Sequence, residues 1–189
     1  MSSGAIMAEI LINTCSEDVI IAIYNNGKFD RTESVIGQKN NSQFIMPTIK
    51  KALDGKNPDK IYVVNGPGSF TGVRLGVTIA KTFAYTLEIP IKTISSLELK
   101  AVSLVEKNKI VGVKENNGYY IGIFDEDNKQ VGDYEYIDND AFEEFNNKHH
   151  VFTKVIIDYN KVYNYLKTKE ELNPHAVKPL YIKKISVEK

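Results

Sequence analysis

The stretch of this chain best suited to chemistry is Ile61-Tyr62-Val63-Val64-Asn65-Gly66-Pro67-Gly68-Ser69-Phe70-Thr71-Gly72-Val73-Arg74-Leu75-Gly76. A β-branched run enters a glycine-rich turn, and an apolar helical pattern leaves it. The amides at a helix N-terminus would point at that turn, a context that suits an anion. The spacing fits no standard nucleotide fingerprint. Gly66, Gly68 and Gly72 run one residue too wide for G-x-G-x-x-G. A Walker loop needs Lys-Ser/Thr after its last glycine, where Val73-Arg74 stand. A nucleophile elbow around Ser69 needs glycine at the places of Pro67 and Thr71. On residues alone, phosphate binding and a tight turn that merely launches a helix both stay open.

Other reactive side chains are sparse. The histidines are His149, His150 and His175, and the single cysteine is Cys15. No H-E-x-x-H is present, and adjacent histidines cannot share one helix face, so a metallopeptidase centre is not expected. A structural zinc site lacks ligands as well. One cysteine allows no intrachain disulfide, which leans toward a reducing, cytosolic setting. Lys+Arg and Asp+Glu are 24 each, a balance unlike that of a basic nucleic-acid module. The lysines between Lys167 and Lys189 are partly cancelled by Glu170, Glu171 and Glu188, and no aromatic-basic platform accompanies them. No apolar run approaches the roughly 20 residues of a membrane helix, so no membrane partner is expected.

The elements that must position the motif read as follows. Ala8–Asn13, Val19–Tyr24 and Lys28–Val35 form a three-stranded meander, with Asn26-Gly27 as its second turn. A helix from about Ser42 to Leu53 begins at or kinks near Pro47. Strand Ile61–Val64, the glycine turn, a helix from about Thr71 to Leu87 and strand Ile91–Ile94 follow. Ser95–Asn108 reads as a helix between two lobes. Beyond it, strands are expected at Ile110–Val113, Tyr119–Phe124, Val131–Ile137 and Val155–Ile157, with helices at Ala141–Asn147 and Lys161–Lys169. Residues 1–7 lack the basic start and cleavage site of a secretory signal and read as an N-terminal extension.

On a wheel of roughly 100° per residue, Gly72, Gly76, Ala80 and Ala84 of the second helix form one stripe of small residues. Val73, Leu75, Val77, Ile79 and Phe83 flank it, and the polar strip Arg74, Thr78, Lys81 and Tyr85 is narrow. So wide an apolar arc needs two packing partners. The small stripe is expected to meet a neighbouring helix, either Ser42–Leu53 of the same chain or a helix of another.

The run Gly66-Pro67-Gly68-Ser69-Phe70-Thr71-Gly72-Val73-Arg74-Leu75-Gly76 resembles the signature of the TsaB (YeaZ) family. Ile10-Leu11-Ile12-Asn13-Thr14 is similar to that family's first strand and turn. Asn41-Ser42-Gln43-Phe44-Ile45-Met46-Pro47 is similar to its His-Ser-Glu-x-Leu-x-Pro helix start. Lys178-Pro179-Leu180-Tyr181-Ile182 is similar to its Pro-x-Tyr-Leu ending. The likeness is strong over Glu9–Leu97 and thin over Ala101–His175.

The resemblance implies an α/β, actin-like (ASKHA) fold of two ribonuclease-H-like lobes, with the second shortened. It implies an extension at 1–7, a first lobe at 8–97 carrying the motif, and a second, smaller lobe at 98–189. It further implies a non-catalytic scaffold and activator for making threonylcarbamoyladenosine in tRNA. The partners would be a TsaD-like catalytic subunit and a TsaE-like ATPase, with tRNA reached through the complex and a homodimer formed when the chain is alone. No catalytic residue, cofactor or metal is expected on this chain, and ATP and a metal ion fall to the partner subunits. The shared homodimer and partner interface is expected at Asn41, Phe44, Ile45, Thr48, Val73, Arg74, Gly76, Val77, Ala80 and Lys81. Departures cluster at charged positions: Asn13 where the family usually has Asp, Asn41 and Gln43 for His and Glu, and Lys114-Glu115-Asn116 for Asp-x-Arg. A scaffold tolerates such changes more easily than an ATPase, which handles phosphate and Mg²⁺ with an acidic residue in the first turn. The competing reading is a free-standing actin-like nucleotide-binding protein or ATPase.

Overall fold

Near-continuous apolar runs in the first two strands predict a sheet covered on both faces, and the fold has one. The computed structural model describes residues 8–37 and 42–182. Strands β1 (Ala8–Asn13), β2 (Val19–Asn25), β3 (Lys28–Val35), β4 (Lys60–Val64) and β5 (Ile91–Ile94) form a sheet in the order β3-β2-β1-β4-β5. The meander is antiparallel, whereas β4 and β5 run parallel to β1. Asn26 and Gly27 both take positive φ, +50° and +79°, as a tight two-residue hairpin turn requires.

Side chains on a strand alternate between faces. Ile10, Ile12, Ile21, Ile61 and Val63 face helices α1 (Ser42–Leu53) and α2 (Phe70–Thr86). Leu11, Ala22, Tyr24, Tyr62 and Val64 face the other way, onto α3 (Ser96–Ser103) and α5 (Tyr159–Thr168). Helix α1 runs through Pro47.

A second sheet, in the order β8-β7-β6-β9, holds β6 (Lys109–Glu115), β7 (Gly118–Phe124), β8 (Glu135–Asp138) and β9 (Val151–Phe152). Helix α4 (Asn139–Lys148) covers one face through Phe142, and α3 covers the other through Leu97 and Ala101. Helix α3 thus packs on both sheets, and a Ser95/Glu98 capping box fixes its start. Residues beyond 98 contribute to both bodies, because α5 and Val177 pack on the first sheet.

Three expected elements differ from what forms. Helix α3 stops at Ser103 rather than near Asn108, and Val105 beyond it is 83% exposed with no surface to pack on. The strand beside β6 is Val151–Phe152, not Val155–Ile157, and Ile156 projects into solvent. Strand β8 begins at Glu135, because Gly132 turns the chain with φ +71° after Val131. The extension at 1–7 lies outside the described residues.

Candidate functional site: the glycine turn and the outer face of two helices

The motif turn is built from within the chain. Gly66 takes φ +108° and its peptide bond to Pro67 is cis. Ser69 is the N-cap of α2, and its Oγ accepts from the Gly72 amide at 3.3 Å. The turn between β1 and β2 grips it from one side. The Ser69 amide donates to the Cys15 carbonyl at 2.7 Å, and Thr14 Oγ1 donates to the Gly72 carbonyl at 2.7 Å. Cys15 Sγ donates to the Val64 carbonyl at 3.2 Å, and burial pushes its thiol pKa up to about 12. The start of α3 grips from the other side. Ser96 donates through Oγ to the Pro67 carbonyl at 2.5 Å and through its amide to the Gly66 carbonyl at 2.8 Å. A Cβ at Gly68 or Gly72 would collide with the Cys15 or Thr14 carbonyl, so the motif needs glycine there for close backbone approach.

Asn13 Oδ1 accepts from the Cys15 amide at 3.1 Å, an Asx turn that uses the polar side chain locally. Phe70 and Arg74 are exposed at the start of α2. The Arg74 guanidinium lies 3.5 Å over the Phe70 ring and donates to Tyr181 Oη at 2.8 Å. Thr71 is exposed. Each histidine has its own neighbour: His149 caps α4, His150 abuts Phe152 and His175 abuts Tyr85. Among the described residues no three His, Cys, Asp or Glu side chains are grouped as metal ligands.

The small-residue stripe turns inward. Gly72, Gly76, Ala80 and Ala84 are buried, and Gly76 sits against Thr14 and Ile12 of the same chain. Ile45, Thr48, Val73, Gly76, Val77 and Ala80, expected at an interface between chains, are all buried inside the protomer. The helical wheel groups the α2 residues among them correctly, but their partner is the chain's own sheet and first turn. Asn41 lies outside the described residues. Phe44 and Lys81 are half-buried and Arg74 is exposed, so these three keep surface available.

What the outer face does present is a groove between α1 and α2. It has a volume of about 300 Å³ and is lined by Met46, Thr78, Ile79, Phe83 and Leu87 among others. Met46 is 47% exposed. Of the polar strip Arg74, Thr78, Lys81 and Tyr85, Thr78 borders this groove. Ile79 and Phe83 belong to the wide apolar arc read from the sequence, and beside Thr78 and Thr82 they leave its outer edge half-buried.

Comparison with known proteins places this geometry. Residues 35–113 match the family model described as "TsaD: tRNA N6-adenosine threonylcarbamoyltransferase". The Bacillus subtilis protein named tRNA threonylcarbamoyladenosine biosynthesis protein TsaB is 46% identical over 71 residues, which are 35% of this chain and 31% of that one. The Escherichia coli protein of the same name is 31% identical over 107 residues, 54% of this chain and 46% of that one.

Over these stretches the chain is similar to the TsaB (YeaZ) family.

It spans between about a third and a half of the length of these TsaB relatives. The structure of YeaZ from Pseudomonas aeruginosa superposes with a TM-score of 0.75 over 93% of this chain and 100% of that one, at 15% identity. The chain shares the two-sheet α/β fold of that YeaZ structure, in keeping with the fold the resemblance implied. In this chain the signature glycines shape the turn and seat α2 on the first sheet, while Arg74 and the α1/α2 groove face outward.

Proposed function

We propose that this chain is a non-catalytic subunit in the biosynthesis of threonylcarbamoyladenosine in tRNA. It docks and activates a TsaD-like catalytic subunit through the outer face of α1 and α2. The observation that carries the reading is the exposed apolar groove between those helices. Among the described residues no further layer covers this apolar helical face, and a contiguous exposed apolar patch suits an interaction surface. In the absence of the catalytic subunit, the same face pairs with a second copy. A TsaE-like ATPase joins the assembly, tRNA is reached through the complex, and ATP and the metal ion sit on the partner subunits. The setting is cytoplasmic.

The motif supports a structural role in the same assembly. The polar atoms an ATPase would aim at phosphate are engaged inside the chain: Thr14 Oγ1 with Gly72, Ser69 Oγ with the α2 amide, and Asn13 with Cys15. Arg74 and the half-buried Phe44 and Lys81 extend the docking face beyond the groove.

The test is light scattering of the chain alone and mixed with a TsaD-like subunit, for the parent and for Met46→Glu with Thr82→Glu. Both substitutions lie on the surface, so the isolated fold is expected to persist. The proposal requires loss of both self-association and partner binding. Undiminished binding of the TsaD-like subunit would refute it. A calorimetric titration with ATP and Mg²⁺ that gave micromolar binding with turnover would favour a free-standing ATPase.

A further inference from the structure

The segment after the last short helix runs between the two sheets and divides the space there. Val177 anchors it, 2% exposed, in the core shared by α1, α2 and the first sheet. Five residues later, Ile182 packs against Leu97, Val111 and Phe124 of the second sheet's core. In between, the segment crosses the carboxyl ends of the parallel strands β4 and β5, where open α/β sheets form their ligand crevices. The Leu180 amide donates to the Asn65 carbonyl at 2.7 Å, and Asn65 Nδ2 donates to the Lys178 carbonyl at 3.3 Å. A Cβ on Gly66 would stand 3.2 Å from the Leu180 carbonyl.

Leu180 is a wall of two cavities at once. One, of about 390 Å³, is polar and lies against Asn65, Thr93, Ser95, Glu98, Tyr134 and Lys169. In it the Glu98 carboxyl, which burial alone would push up, is held below its usual range by the Lys169 ammonium, the Ser95 amide and the Tyr165 hydroxyl. The other, of about 230 Å³, lies against Gly68, Val73, Tyr120, Tyr181 and Ile182. Nothing but the strap at Leu180 is common to both linings. Joined, they would fall within the size range of small-molecule pockets.

We infer that Lys178–Ile182 is an intramolecular plug, which closes a crevice between the lobes and opens by releasing from Val177 onward. Its attachments suit release. It joins no strand ladder, Tyr181 is 61% exposed, and its outer hold is the Arg74–Tyr181 hydrogen bond. The released state would expose the motif turn at Asn65–Gly68 and merge the two cavities into one site for a small polar ligand. This conformational device shares Arg74 with the proposed docking face and otherwise lies away from the α1/α2 groove.

Native-state hydrogen exchange on the full chain at low urea tests the plug directly. The Leu180 amide is expected to exchange through a partial opening, with a smaller urea dependence than the Ile10 and Ile12 amides of β1. A common urea dependence for all three would overturn the proposal, because the strap would then open only on global unfolding. A second arm uses Leu180→Pro with Tyr181→Phe, which deletes the donor to Asn65 and the hydroxyl that binds Arg74. Exchange at the Asn65 and Ser96 amides should rise at least tenfold while Ile12 is unchanged. No rise at those amides, or an equal rise at Ile12, would overturn it.

Discussion

Substitution of Gly76 by alanine probes how the signature motif works. A Cβ at that position would run into Thr14 Oγ1, yet its next neighbours, Thr14 Cβ at 3.6 Å and Ile12 Cγ2 at 3.8 Å, are in ordinary contact. One atom therefore causes the conflict, and that atom also donates to the Gly72 carbonyl at 2.7 Å. Overpacking costs about 1–3 kcal/mol. Displacing the Thr14 hydroxyl loses a hydrogen bond worth about 1 kcal/mol. Replacing glycine by alanine inside a helix returns about 1 kcal/mol. The net expected loss is about 1–3 kcal/mol. In a Thr14→Ala background the conflict is absent, so Gly76→Ala should be neutral or stabilising by up to about 1 kcal/mol. Urea denaturation of the four chains of this cycle measures the coupling, with the slope unchanged and only the midpoint moving. Gly72→Ala offers the contrast, because its Cβ meets the Thr14 backbone carbonyl, which no side-chain replacement removes. If Gly76→Ala costs the same with and without Thr14, the stripe is not seated on the first turn and the inward assignment fails.

Three further outcomes follow from burial and charge. Lys100 Nζ donates to the Gly112 and Thr153 carbonyls at 2.9 and 2.6 Å, and burial lowers its pKa to about 8 from 10.5. The unfolded chain holds that proton more tightly, so stability from this group rises between about pH 8 and 10.5. Thermal melts should show the parent gaining on Lys100→Met across that window, and a constant difference would contradict the burial. Cys15, with its thiol near 12, should resist a thiol reagent at pH 8 until the chain unfolds, and prompt labelling of the native chain would contradict its placement. Ser69→Ala removes an N-cap and should cost about 0.5–2 kcal/mol in urea melts. It should leave partner affinity unchanged once folded, and a variant that folds normally yet loses partner binding would give Ser69 a role beyond capping.

Local signals were readable where they are chemically narrow. Asn26-Gly27 foretells its hairpin turn, and the β-branched run Ile61–Val64, the glycine-rich turn and the helical pattern after it foretell strand, turn and helix. Direction was not readable. A helical wheel groups Gly72, Gly76, Ala80 and Ala84, but the surface they meet depends on the β1–β2 turn, more than fifty residues upstream. Likewise the sequence shows a helix at Lys161–Lys169, and in the fold Val162, Tyr163 and Leu166 form its buried face. The sequence contains nothing to say that this face covers the first sheet, against Tyr24 and Tyr62. The hold of Leu180 on Asn65 is a backbone contact, and side-chain patterns do not record those.

The docking role is tested most directly by reconstituting threonylcarbamoyladenosine formation on tRNA with a TsaD-like subunit, its ATPase partner and the substrates, with this chain supplied or withheld. Formation should depend on the parent chain and persist with folded Ser69→Ala. It should fall in step with lost docking for Met46→Glu with Thr82→Glu. Formation that proceeds without the chain, or that survives when the α1/α2 face no longer binds its partner, would contradict the role assigned to that face.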